Sequence, residues 1–309
     1  WEWRSTPVRD PLNRTINARW LRSVDGTRAA VEMAEASGLS RLAAVERDAL
    51  AATSIGTGEL LRAAADGGAR SIVLGIGGSA TSDGGAGLLT GLGADADRDR
   101  ATVDLADLDP GLAHVELQVA CDVSNPLLGD SGAAAVYGPQ KGASADLVRT
   151  LDERLARFAD ALDAAAGRDE RATPGAGAAG GVGYALLSIQ DRFRSFALRP
   201  GVDLVMDATD FGGRLPHADL VITGEGRIDA QTGFGKTALG VAKRAEAAGV
   251  PCIAVGGGVE VDGIAALAAV GAIAVPVVER PQSVEEAMTA GIEPLERCGE
   301  RLARLTNLA

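Results

Sequence analysis

A six-residue apolar run, SIVLGI at residues 71–76, passes without interruption into GGSATSDGGAG. A buried strand that opens into glycines and then into a helical segment is how α/β folds present main-chain amides to anions. The order returns along the chain. HADLVITGEGRID starts from the short apolar run 220–222 and leads through GFGKT into a helical segment, and TPGAGAAGGVGYALL is a third glycine-rich approach to a helix. The 41 glycines and the low aromatic share, 3%, fit the same picture. Small residues let helices lie close on a sheet, and glycine lets backbone approach a ligand or turn sharply. The fold class expected is α/β.

Strands are expected at 28–33, 71–76, 115–121, 220–222, 252–255 and 272–277. Helices are expected at 58–65, 147–166, 236–248, 263–269 and 284–305, with a further helix running on from 88–92. Leu147, Leu151, Leu155, Phe158 and Leu162 recur every three or four residues and give 147–166 the clearest apolar stripe. Regular βαβα alternation in the last third favours a parallel sheet with helices on both faces. A boundary is placed near Pro200, where the basic stretch DRFRSFALRPG ends. The opening WEWRSTPVRDPLNRTINARW reads as the middle of a protein, so material ahead of Trp1 is expected.

Thirty basic against 42 acidic residues leave a net charge of −12. That field repels a polyanionic duplex, so no nucleic-acid partner is expected, although a small anion can still occupy a local pocket. Cys121, Cys252 and Cys298 are odd in number and form no CxxC pair, and only His114 and His217 are available beside them. A zinc site is therefore not expected, and the two histidines read as structural. The cysteine usage suits a reducing, cytoplasmic setting. No apolar run reaches the roughly eighteen residues of a membrane span, and no signal peptide is legible.

Three stretches carry chemistry. In the glycine loop after residue 76, the amides of Gly77, Gly78, Gly84 and Gly85 and the hydroxyls of Ser79, Thr81 and Ser82 suit phosphate or carboxylate oxygens. Asp83 would repel a bare phosphate there; it serves as a magnesium partner, a hydroxyl acceptor, or a helix cap in a tight turn. Asp122 follows directly on a strand, where open α/β sheets gather ligands, or it holds the Asn125-Pro126 corner in an Asx-turn. Gln140 and Lys141 in GPQKG offer charge to a phosphate, or a solvated lysine. In TGEGRIDAQTGFGKT the count fails for a Walker loop, because Ala230 stands where its first glycine belongs. Glu225 and Asp229 nevertheless lie four apart with Arg227 between them, ahead of Lys236 and Thr237, a set suited to Mg-nucleotide chemistry. Gly75, Gly77 and Ala80, with Asp95 and Asp97 about twenty residues on, give only a weak dinucleotide fingerprint, leaving TGEGRID without a role. Gly256, Gly257 and Gly258 make a further ligand rim or an ordinary turn.

EMAEASGL, TSIGTGELLRAA, GIGGSATSDGGAG, ACDVSNPLLG, AVYGPQKGA, GAAGGVGYAL and DLVITGEGRIDAQTGFGKTALGVAKRA occur in this order. Together they resemble the bacterial type I glycerate kinase family over nearly the whole chain. The resemblance implies an ATP-dependent kinase that uses Mg²⁺ and phosphorylates D-glycerate, with 2-phosphoglycerate favoured as product over 3-phosphoglycerate. It implies two α/β domains, one flavodoxin-like with a parallel sheet and the other inserted into it, with the substrate in the cleft between them. Residues 1–200 would be mostly the inserted domain and 201–309 the C-terminal part of the flavodoxin-like domain. The family's PDSFKG and ADGGEGT stretches do not occur, so that domain's N-terminal part is expected to be missing from this chain. On this scheme Asp83 or Asp122 lies by the reacting hydroxyl and Glu225 and Asp229 hold Mg²⁺. Lys236 and Thr237, with the amides of the first loop, hold phosphates or the substrate carboxylate. Ser82 stands where the family commonly has Asn. A kinase of another small hydroxy acid, or a non-catalytic binder of glycerate or nucleotide, is the alternative.

Overall fold

The computed structural model describes residues 1–230, 232 and 237–306. The chain divides into two compact units, Trp1–Gly201 and Val202–Ala309.

The first unit is built on a six-stranded mixed sheet. Its strands are β1 (Glu2–Arg9), β2 (Thr15–Arg22), β3 (Arg28–Glu32), β4 (Ser71–Gly75), β7 (Glu116–Ala120) and β8 (Ser195–Arg199), in spatial order β1-β2-β3-β4-β7-β8. The short β5 (Asp95–Asp97) and β6 (Thr102–Asp104) form a separate hairpin. From β3 to β8 every pairing is parallel, which requires long crossovers. Helices Ile55–Asp66, Ala86–Gly91, Ala145–Ala166 and Val182–Ser188 supply them. The registers align Glu32, Gly75, Ala120 and Arg199 across the sheet. Four strand ends therefore stop at one level, and the loops that follow β4 and β7 begin side by side.

β4 and β7 alternate buried and half-buried residues, with Ile72, Leu74, Leu117 and Val119 facing the core. Leu151, Leu155, Phe158 and Leu162 of the helix Ala145–Ala166 are all fully buried, as their spacing predicts. Ser144 caps that helix by accepting the Leu147 amide, and Gly167 ends it at φ +71°. Tyr184 is fully buried, and its hydroxyl donates to Asp163 Oδ1 at 2.6 Å. Arg171 holds the other oxygen of the same carboxylate.

The second unit carries β9 (Val221–Ile228), β10 (Cys252–Val259) and β11 (Ala272–Pro276), parallel, with β10 in the middle. Side chains alternate along β10 as a strand requires. Cys252 and Ala254 pack with Ala238, Leu239 and Ala242 of the helix Thr237–Ala247, and Val255 packs with Cys298 and Leu302 of the helix Glu293–Thr306.

Three readings from the sequence are corrected. Residues 1–22, given no element, form the antiparallel hairpin β1–β2. Its Trp3, and Trp1 just ahead of it, face outward and stay exposed, each with one guanidinium (Arg19 and Arg28) over its ring, so no clean apolar–polar alternation marks the strands. The stretch SFALR, read only as the end of a basic segment, is the edge strand β8. Residues 284–305 are two helices, Val284–Thr289 and Glu293–Thr306, because Gly291 at φ +68° stops the first and Pro294 starts the second.

Tyr184→Phe removes a buried hydrogen bond to a carboxylate that Arg171 continues to hold. It is expected to lower unfolding stability by about 1–3 kcal/mol in urea titration, with the fold retained.

Candidate active site

Beyond the aligned ends of β4 and β7 lies a cavity of about 390 Å³, lined by residues 75–79, 120–123 and 178–179 with Leu39, Tyr137 and Gln140. Gly77 and Gly78 are exposed in it, and Ser79 is nearly covered. The loop is fixed from behind by an antiparallel bridge between Gly38 and Ser79. Leu39 donates to the Gly78 carbonyl and Ala80 to the Ser37 carbonyl, each at 2.9 Å. The amides of Gly77, Gly78 and Ser79 have no acceptor among the described residues. Three successive donors on a glycine turn suit an anion. A Cβ on Gly77 would meet nothing within 4 Å, so that backbone faces open space, and Gly78 sits at φ +70°.

Asp122 faces the same cavity from the end of β7. Its Oδ1 accepts the Gly201 amide at 2.7 Å, and Oδ2 takes no hydrogen bond among the described residues. No Asx-turn forms at Asp122. The corner after it is held instead by Asn125, which accepts the Tyr137 hydroxyl at 2.7 Å and donates to the Ser131 carbonyl at 2.8 Å.

The second half of the glycine loop is interior. Thr81, Ser82, Asp83, Gly84 and Gly85 are buried and do not line the cavity. Asp83, 3% exposed, accepts four hydrogen bonds. Ser54 donates its amide at 2.7 Å and its hydroxyl at 2.8 Å, Gly85 its amide at 3.1 Å and Gly87 its amide at 3.2 Å. The carboxylate thereby fastens the starts of helices Ile55–Asp66 and Ala86–Gly91 to each other, which is the capping alternative on a larger scale. The Ser82 hydroxyl, fully buried, finds no hydrogen-bond partner among the described residues.

A second glycine loop locks into the first. Ala179, Gly180 and Gly181 have φ of +54°, +70° and +97°. Gly84 donates to the Gly180 carbonyl at 2.9 Å. A Cβ on Gly180 would lie 1.9 Å from the Thr81 carbonyl oxygen, and one on Gly181 would lie 2.6 Å from the Gly84 Cα. Only glycine allows that approach. Ala179, on the cavity wall, keeps a left-handed conformation despite its Cβ.

Lys141 is buried at 1% exposure, neither solvated nor on the cavity wall. Its Nζ donates to the Thr81 carbonyl at 2.6 Å. Burial pushes its pKa down to about 8, opposed by attraction to the Asp83 carboxylate. Cys121 lines the cavity, and burial raises its thiol pKa, so it is held as a thiol.

In the second unit, Glu225 lies within β9, which runs on to Ile228. Glu225 and Arg227 are two apart in β9 and so share one face of the strand, and Asp229 follows its last residue. The Arg227 guanidinium pairs with Glu260, and its Nε lies 3.6 Å from Asp229 Oδ2. Thr232 turns the chain beneath them, donating its amide to the Asp229 carbonyl and accepting the Asp229 amide through its hydroxyl. Thr237 is exposed at the first residue of the helix Thr237–Ala247. Lys236 lies outside the described residues. Among those residues, no group of three or more His, Cys, Asp or Glu side chains is arranged around one metal position.

The structure thus brings Gly77, Gly78, Ser79 and Asp122 to one cavity, and puts Glu225, Asp229 and Thr237 on the other unit. Sequence reading passed over Ser54, Tyr137 and Ala179. A serine just ahead of a helical run is a cap signal that points to Ser54, whereas an alanine gives no sign that its φ is positive.

A model of the Glycerate kinase family matches residues 1–307. A glycerate kinase of Halalkalibacterium halodurans is 44% identical over 96% of this chain and 80% of its own length. A glycerate kinase of Bacillus subtilis is 43% identical over 98% of this chain and 82% of its own. A glycerate 2-kinase of Escherichia coli is 44% identical over 81% and 68%. Among solved structures, one from Salmonella typhimurium LT2, provisionally described as glycerate kinase 2, superposes with TM-score 0.81 at 38% identity. It covers 99% of this chain and 83% of its own.

Gly180→Ala drives a methyl into the Thr81 carbonyl at positive φ and is expected to cost at least about 2 kcal/mol of stability by urea titration. Gly77→Ala has free space and is expected to leave the unfolding midpoint unchanged while narrowing the cavity.

Lys141 supplies a stability–pH prediction. Its pKa falls from 10.5 unfolded to about 8 folded. The cost of burying the ammonium is therefore fully present below pH 8. It is relieved as pH rises toward 10.5, a gain of about 3 kcal/mol. Urea midpoints between pH 7.5 and 10 should show this rise relative to Lys141→Met, which lacks it.

Proposed function

We infer the function from one premise, that this chain belongs to the glycerate kinase family. It transfers the γ-phosphoryl group of ATP to a hydroxyl of D-glycerate, with 2-phosphoglycerate as the favoured product. The observation that carries the reading to particular residues is the pairing of three successive amides, at Gly77, Gly78 and Ser79, with Asp122 in one small cavity. The amides receive the carboxylate of D-glycerate, which glycine lets approach the backbone. Asp122 keeps Oδ2 available for the substrate hydroxyl and accepts its hydrogen as the oxygen attacks phosphorus. Asp83 acts beneath the loop, holding it in shape through its four hydrogen bonds.

Glu225 and Asp229 are proposed to hold Mg²⁺ with the nucleotide, beside Lys236 and Thr237. Their chemistry fits that ion. Magnesium takes hard oxygen ligands and is commonly bound through one or two carboxylates plus substrate phosphates, not by a full protein cage. Either carboxylate, together with substrate phosphates, meets that demand. When bound, the ion neutralises charge on the phosphates. Arg227, tied to Glu260 and close to Asp229, keeps the face of β9 from accumulating unbalanced negative charge.

Phosphoryl transfer depends mainly on positioning and electrostatics, so these roles require little further chemistry from the protein. The three cysteines are free thiols, which supports a reducing, cytoplasmic setting. Among the described residues, no helix is long and apolar enough to cross a membrane. The net charge of −12 disfavours a nucleic-acid partner.

ADP release coupled to D-glycerate, with phosphorus NMR of the product, tests the assignment. Turnover with D-glycerate no higher than with buffer would sink the kinase reading. Asp122→Asn is expected to lower kcat by about 100-fold or more with an unchanged unfolding midpoint. Near wild-type turnover would remove Asp122 from the reaction.

A further inference from the structure

We propose that Lys141 is a positioning residue for the cavity, holding both glycine loops in the form that receives the substrate by anchoring the Thr81 carbonyl. The proposal rests on the kinase reading for its substrate, while its structural part stands on the geometry alone.

A lysine at 1% exposure is exceptional, because moving an ammonium out of water is costly unless its donors are used. Lys141 makes one hydrogen bond among the described residues, at 2.6 Å, and its acceptor is a main-chain carbonyl. A buried charge so sparsely compensated is poor for stability; an apolar side chain of similar length would serve a core better. The charge therefore makes sense for what it holds.

What it holds is the point where the cavity walls meet. The Thr81 carbonyl lies against Gly180 so closely that a Cβ there would come within 1.9 Å. The Thr81 hydroxyl donates to the Ala179 carbonyl at 3.4 Å, and the Gly84 amide donates to the Gly180 carbonyl at 2.9 Å. Pulling on that one oxygen sets the loop 76–85 and, through it, the strained turn at Ala179. Lys141 itself ends the single turn Pro139–Lys141, whose Gln140 is on the cavity wall, so the ammonium joins the third wall to the other two. Burial pulls the Lys141 pKa down, and attraction to the Asp83 carboxylate opposes that shift.

The test compares wild type, Lys141→Met and Lys141→Gln, the last keeping a donor. With Lys141→Met, the KM for D-glycerate is expected to rise about tenfold or more, while kcat and the KM for ATP stay within about threefold. Lys141→Gln should fall between. A merely structural role would reduce the active fraction, and so kcat, without moving KM. In parallel, hydrogen exchange should speed up in peptides covering 76–85 and 178–181 and stay unchanged in those covering β9 to β11. Unchanged KM and unchanged exchange in both variants overturn the proposal. If Lys141→Met fails to fold, the Gln variant decides by the same two readouts. If wild type itself shows no turnover of D-glycerate, the kinase reading fails, and exchange in the two loops still settles whether Lys141 holds them.

Discussion

The carboxylate of Asp83 takes four hydrogen bonds in a site almost closed to water, and its donors come from segments thirty residues apart in sequence, at Ser54 on one side and Gly85 and Gly87 on the other. A buried carboxylate has to be saturated in this way, because each unfilled lone pair would carry a desolvation cost. Saturating it forces the beginnings of helices Ile55–Asp66 and Ala86–Gly91 together. The Ser54 hydroxyl, donating to Asp83, also accepts the Leu88 amide, so the join works in both directions. With those helix starts fixed, the loop leaving β4 has little choice of path, and Gly77, Gly78 and Ser79 are carried to the cavity.

Close backbone contact then does the rest. Gly84, Gly85, Gly180 and Gly181 all have positive φ, and their loops touch where a Cβ would not fit. At that contact the Lys141 ammonium holds the Thr81 carbonyl oxygen. Charge, hydrogen bonding and the absence of side chains are here one device: rigid walls made of backbone around a small polar cavity.

Much of this was legible in the sequence, for definite reasons. The run SIVLG is short, rich in branched aliphatic residues and followed by glycines, which favours a buried strand, and the stripe from Leu147 to Leu162 has a helical period. The position of Asp122 after a strand sufficed to place it at the edge where the cavity opens, because parallel sheets end their strands together. The hairpin β1–β2 was not legible, since its tryptophans face outward under arginine guanidiniums and blur the alternation. Nor was β8, a half-buried edge strand of ordinary composition. Within the glycine loop the sequence marked all its polar groups alike, and could not separate those facing the cavity from those facing the interior.

The sequence by itself determined the class of fold, the parallel strands β3, β4, β7 and β9 to β11 with their main helices, the family, and the glycine-rich stretches that border the cavity. These follow from periodicity, glycine placement and co-linear motifs, which are properties of the chain read locally. Only the tertiary structure decided that Asp83 braces the interior while Asp122 meets the cavity, and that Lys141 is buried against Thr81 instead of lying in solvent. Those assignments depend on which distant backbone closes over a side chain. Burial and hydrogen-bond partners are set by neighbours that residue spacing does not reveal.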